Sequence, residues 1–252
     1  MFSQYLPQEI FGFLLVFTRL GSMFIILPAL GESAISPRIR LVMALGVSLL
    51  VYLVVKSAIP SMPEQPLPLF VLMFKEALVG IMIGTSIRLL MSALHLAGMI
   101  IAMNTGLAAA QAFDPMQGGQ SAQMGTFLTL MGTTLIFVTD LHHLMIGAMH
   151  DSYTLFPVGF DLMINDFAER VLDTVANAFQ LGLQIATPFL VYGLIFNIGL
   201  GILARLMPQL QVFFIAMPLN IAVGFIILMI VLGAGMTWFL QYMENSISVF
   251  LV

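Results

Sequence analysis

The chain has 252 residues, 60% of them hydrophobic and only 8% charged, with a formal net charge of −4 and a mean hydropathy of +1.07. Ordinary soluble domains hold roughly 45–50% apolar and about 25% charged residues, so the apolar surface must be buried in lipid or against other apolar subunits, and a soluble globular fold is excluded. The 8 basic side chains form no cluster able to neutralise a row of phosphates, which argues against nucleic acid as a partner; the absence of cysteine excludes disulfides, thiolate nucleophiles and Cys-ligated metals.

The expected fold class is all-α: a polytopic integral membrane protein of long, tilted and kinked helices and helical hairpins, with residues 1–252 forming a single membrane-embedded domain. Apolar segments fall at about 10–30, 41–59, 67–103, 124–149, 174–206 and 209–240. The first begins without a positively charged leader, since Glu9 is the first ionisable side chain of MFSQYLPQEIFGFLLVFTRL, and is expected to be retained as a membrane helix. GESAISPRIR (31–40) then breaks the chain. Its Arg38 and Arg40 direct this connection to the cytoplasm by the positive-inside bias and leave the N-terminus on the other side, although Lys56, Lys75, Arg88, Arg170 and Arg205 do not alternate cleanly with the passes.

After SAIPSMPEQPLP (57–68) comes the segment 67–103, which exceeds the roughly 20 residues needed to cross about 30 Å of hydrocarbon. It either breaks near Ser92 or Gly98 into two passes, or forms one tilted helix of about 55 Å in an assembly that does not lie flat across a bilayer. Within it Glu76, Gly80, Gly84, Arg88, Ser92 and His95 recur every three or four residues and share one helix face. Gly80 and Gly84 form a GxxxG pair, so this ridge is a helix-packing seam or, through Glu76, Arg88 and His95, an ion path.

TGLAAAQAFDPMQGGQSAQ (105–123) interrupts the apolar chain with four glutamines, a Gly-Gly pair, an Asp-Pro step and one large aromatic. TDLHHLMIGAMHDSY (139–153) sets Asp140, His143, Gly147, His150 and Asp151 along roughly one helix face. These groups suit a proton relay or a metal site, though His143 and His150 are seven apart rather than one turn; alternatively they bond to neighbouring helices or end the segment near the membrane surface. The acidic stretch 151–173 reads as a connection. Pro188 and Pro218 sit inside the last two apolar segments and are expected to kink them. The 20 methionines fill gaps in helix packing or form a compliant lining around a variable passenger.

Catalytic signatures are missing. No GxxxxGK[ST], GxSxG or HExxH occurs, and Lys56 and Lys75 are the only lysines, so the chain reads as a non-enzyme with no cofactor or resident metal implied; a proton gradient or a partner would supply any energy.

Four segments in order, TRLGSMFIILPALGESAISPRIRLVMALGVSLL (18–50), the 105–123 stretch with its FDP and glycines, TDLHHLMIGAMHDSYTLFPVG (139–159) and RLMPQLQVFFIAMPLNIAVG (205–224), resemble the FliR family of flagellar biosynthetic proteins. Virulence-secretion relatives share that architecture. The resemblance implies a subunit of the type III protein-export gate of the bacterial inner membrane, at the flagellar basal body. It further implies association with FliP and FliQ in a helical, funnel-like assembly, with FlhB and FlhA as neighbours, and passage of unfolded flagellar subunits through it. The connection matching 106–122 lies in the pore of that family as a plug.

Residues of this stretch suit the role. Phe113 supplies bulk against water, while Gln111, Gln117, Gln120 and Gln123 offer hydrogen bonds without fixed charge. Gly118 and Gly119 let the backbone swing, Asp114 before Pro115 favours a turn, and Met116 adds a soft side chain. Irregular backbone at membrane depth is tolerated inside protein or beside water; the alternative is a surface connection. A stand-alone secondary transporter or ion channel using Glu76, Arg88, Asp140 and His143 is the competing function.

Overall fold

A computed structural model describes residues 2–31, 35–107, 123–159, 164–207 and 212–251. Among the described residues seven α-helices follow one another: α1 (Phe2–Ile26), α2 (Pro37–Val55), α3 (Pro66–Asn104), α4 (Gln123–Val138), α5 (Leu141–Leu155), α6 (Ile164–Leu206) and α7 (Val212–Ser248), with a 3-10 turn at Lys56–Ala58. No strand occurs among the described residues. Among the described residues five helices are long and apolar enough to cross a membrane, and α4 with α5 forms a pair bent by 76° that counts as a broken span or a re-entrant loop. The chain is an all-α, multi-pass membrane protein.

Three boundaries differ from the sequence expectation. The segment 67–103 is one unbroken helix of 39 residues, about 58 Å long, so Ser92 and Gly98 do not break it; Gly98 instead serves a helix contact described below. The segment 124–149 divides at Asp140, whose φ of 60° is left-handed and ends the right-handed helix there. Most of the acidic connection is helical, since Asp151–Leu155 completes α5 and α6 starts at Ile164. α6 and α7 run through Pro188 and Pro218 as continuous elements.

Packing groups the chain into two compact units. The first comprises Met1–Leu89, Ile136–Thr174 and Met243–Val252. Here α1 and α2 form an antiparallel hairpin. Gly12 lies against the Tyr52 ring, where an added Cβ would come within 2.8 Å, and Phe13 meets the same ring edge-on at 6.4 Å between centroids. Glu9 accepts a hydrogen bond from the Tyr52 hydroxyl at 2.6 Å and pairs with Lys56. Ser36 caps α2 ahead of Pro37, whose missing N–H costs nothing at a first helical position. Leu15, Leu20, Met23 and Phe24 of α1, Leu27 just beyond it, Ile83 and Ile87 of α3, Met145 and Met149 of α5, and Met243 and Ile247 of α7 make up the core.

The second unit comprises Leu90–Leu135 and Val175–Tyr242. The C-terminal part of α3 and α4 form an antiparallel hairpin, with Gly98 on Gly125 and Leu94 on Gly132. α6 runs parallel to α3, bringing Gly182 to Ala93 and Gly193 to Asn104. α7 returns antiparallel to α6, with Gly235 on Ile185.

Candidate functional site: a buried charge clamp and the root of the 106–122 connection

In the first unit the Glu76-Gly80-Gly84-Arg88 ridge faces α1. A Cβ on Gly80 would overlap Ser22 Oγ and the Arg19 carbonyl, and one on Gly84 would meet Ile26 Cβ at 3.1 Å. Arg88 donates from Nη1 to the Ile26 carbonyl at 3.3 Å. Contacts advance along both helices in the same direction, so α1 and α3 run parallel across this seam. Ser22 shares its O–H between the carbonyls of Arg19 (2.7 Å) and Ala77 (3.2 Å), tying the two backbones together.

Glu76 ends this ridge in an ion pair. Arg19 donates from Nε to Glu76 Oε2 at 2.6 Å, and the two residues are 0% and 1% exposed. The guanidinium also donates from Nη1 to the Ser152 carbonyl (2.9 Å) and from Nη2 to the Phe156 carbonyl (2.9 Å), at the end of α5. The Ser152 carbonyl also accepts from the Phe156 N–H at 2.9 Å, so the guanidinium is its second donor, and a cation at a helix C-terminus is favoured by the helix dipole. The Tyr153 ring lies under the guanidinium, 4.0 Å from its central carbon, adding a cation–π contact. One side chain therefore joins α1, α3 and α5, with all three nitrogens engaged.

In the second unit, polar groups gather where the 106–122 connection leaves α3. Asn104 Nδ2 donates back to the Ile100 carbonyl (2.8 Å) and Thr105 Oγ1 to that of Ile101 (2.9 Å). Gly106 then takes φ +76°, the left-handed conformation that glycine adopts without steric penalty just past a helix end. Asn220 of α7 holds this end: its Nδ2 donates to the Asn104 carbonyl (3.3 Å), and its Oδ1 accepts from the Tyr192 hydroxyl (2.8 Å). Gly193 and Gly224 supply room, since a Cβ on either would overlap Asn104 or Thr105. The Asn220→Ala variant is expected to lose about 1 kcal/mol, two net hydrogen bonds at a half-buried site, and Tyr192→Phe about half as much. Thermal unfolding of the purified chain and faster amide exchange near Asn104 read this out; equal midpoints for all three chains would show that Asn220 does not hold the root.

A family profile described as bacterial export proteins, family 1, matches residues 10–246, a span containing both the clamp and the root. The chain belongs to this export family. It is 41% identical to the flagellar biosynthetic protein FliR of Caulobacter vibrioides over 91% of this chain and 92% of that one. Identity to the FliR of Bacillus subtilis is 30%, over 87% and 85% of the two chains. The Yop proteins translocation protein T of Yersinia pestis is 25% identical over 91% and 89%.

The other residues singled out in this export-family chain are distributed as follows. His95 lies on α3 beside Gly125, in the second unit. Asp140 and His143 meet at 3.6 Å at the start of α5. His150 pairs with the adjacent Asp151 at 2.7 Å, about 10 Å further along the helix axis. The structure thus forms two separate polar pairs from this motif. Gln111, Phe113, Asp114, Pro115, Met116, Gln117, Gly118, Gly119 and Gln120 lie outside the described residues.

Sequence reasoning missed Arg19, Tyr192 and Asn220. Arg19 carried a signal, being the only ionisable residue between Glu9 and Glu32 in an apolar run, a position that demands a partner. Asn220 stood within the quoted segment 205–224 without a role.

Proposed function

We propose that the chain is a non-enzymatic subunit of the flagellar protein-export gate in the bacterial inner membrane, at the basal body. It helps form the channel for unfolded flagellar subunits, and residues 106–122 close that channel at rest. The observation that carries this reading is the root geometry: α3 and α4 touch glycine on glycine at Gly98 and Gly125, and Asn220 secures the end of α3. The connection between these helices is polar, nearly uncharged and glycine-containing in sequence. Such a segment obstructs a lumen without binding any passing sequence tightly.

The apolar surface supports assembly with other membrane subunits. Only 11% of the residues in the most apolar window of α6 are buried within this chain, and Val191, Leu194, Ile195, Ile198 and Ile202 are exposed. FliP and FliQ cover part of this surface in the proposed complex, with FlhB and FlhA as further neighbours and lipid on the remainder. The names of the relatives favour flagellar over virulence secretion, with 41% identity on the flagellar side against 25% for the Yersinia protein.

Deleting residues 110–120 tests the reading. The assembled gate lacking them is expected to leak ions across the inner membrane in the absence of export; conductance equal to the intact gate would remove the plug role.

A further inference from the structure

From the corner between α4 and α5 we infer a metal site, made by Asp140, His142 and His143, for a divalent transition ion of the zinc class. One ligand atom from each of the three residues lies within 4.8 Å of the others. Side chains adjacent in a helix normally diverge by about 100°, yet the rings of His142 and His143 lie 4.2 Å apart between centroids. Donors around a tetrahedral ion at about 2.1 Å are separated by about 3.4 Å. Small rotations of the two exposed side chains, Asp140 at 74% and His143 at 68%, close the difference and leave a path for the ion.

Two further observations point the same way. His142 Nδ1 is shut off from solvent and has no hydrogen-bond partner, a costly condition that ligation through this nitrogen would relieve. Asp140 sits at φ 60° immediately before α5 and makes no side-chain capping bond to it, although capping is the usual work of an aspartate there. Its left-handed backbone turns the chain through the 76° bend, leaving the carboxylate beside the imidazoles rather than over the helix end.

Two imidazoles and one carboxylate suit zinc and its borderline neighbours, and exclude none of them by softness. They do not suit magnesium or calcium, which take oxygen ligands. Three protein ligands leave a position for water.

The test uses the full-length chain in detergent, freed of any histidine tag, stripped with a chelator and dialysed against Zn2+. One zinc per chain is expected. Asp140→Ala, His142→Ala and His143→Ala should each weaken binding at least about tenfold, by comparison with the 10–100-fold cost of losing even an outer-shell partner, whereas His95→Ala and His150→Ala leave it unchanged. Wild-type X-ray absorption guards against misfolded variants and should show two imidazoles on the zinc. Failure to retain zinc, retention unaltered by all three substitutions, or a spectrum without imidazole scattering would overturn the site. None of these outcomes depends on the plug.

Discussion

Replacing Arg19 by alanine is expected to cost the folded chain about 3–5 kcal/mol, the usual penalty for stranding one partner of a buried ion pair. Glu76 would remain dehydrated beside an empty space, the Phe156 carbonyl would lose its guanidinium donor, and the Ser152 carbonyl would keep only the Phe156 N–H. Glu76→Ala should be comparably damaging, because the guanidinium has no water to turn to. The double variant Arg19→Met, Glu76→Met should recover much of the loss, since an apolar pair of similar volume is often neutral in place of a buried salt bridge. Unfolding midpoints in detergent and steady-state levels in membranes measure all three. A double variant as unstable as the sum of the singles would mean that the pair does not act as a unit.

A methyl group at Gly98 should be the most disruptive small change in the second unit. The added Cβ would fall on the Cα and N of Gly125 and 2.7 Å from the Met124 carbonyl carbon. Backbone stands in the way, so no rotamer change relieves the overlap and α3 and α4 must separate. Gly98→Ala is expected to exceed the roughly 1–3 kcal/mol of ordinary overpacking and to raise resting ion leak in the assembled gate. Gly46→Ala is the contrasting case: nothing lies within 4 Å of its Cβ position, so about 1 kcal/mol of helix propensity should be gained. If both variants unfold at the wild-type midpoint, the Gly98–Gly125 crossing is not as close as described.

The membrane class and helical character were legible because composition alone forces them. The Glu76-to-Arg88 ridge was legible for another reason: helical periodicity marks a face whatever lies opposite. What lies opposite is Arg19, 57 residues away, and no spacing rule links such residues. Helix ends were harder to read. INDFAERVLD at the start of α6 is amphipathic and acidic, so an apolarity criterion passed over it, while averaging across 124–149 concealed the corner that one aspartate makes. Asp140 and His143 were grouped with His150 by face, but the turn at Asp140 draws in His142.

The Arg19 clamp also constrains how the protein is made. Ribosomes add about 5–20 residues per second, so Arg19 precedes Glu76 by about 3–11 s and the Phe156 carbonyl, 137 residues later, by about 7–27 s. During that interval the nascent chain carries an uncompensated cation that hydrocarbon rejects. The insertion machinery must shelter α1 until its counter-ion emerges, and the N-terminal hairpin cannot mature as an independent piece.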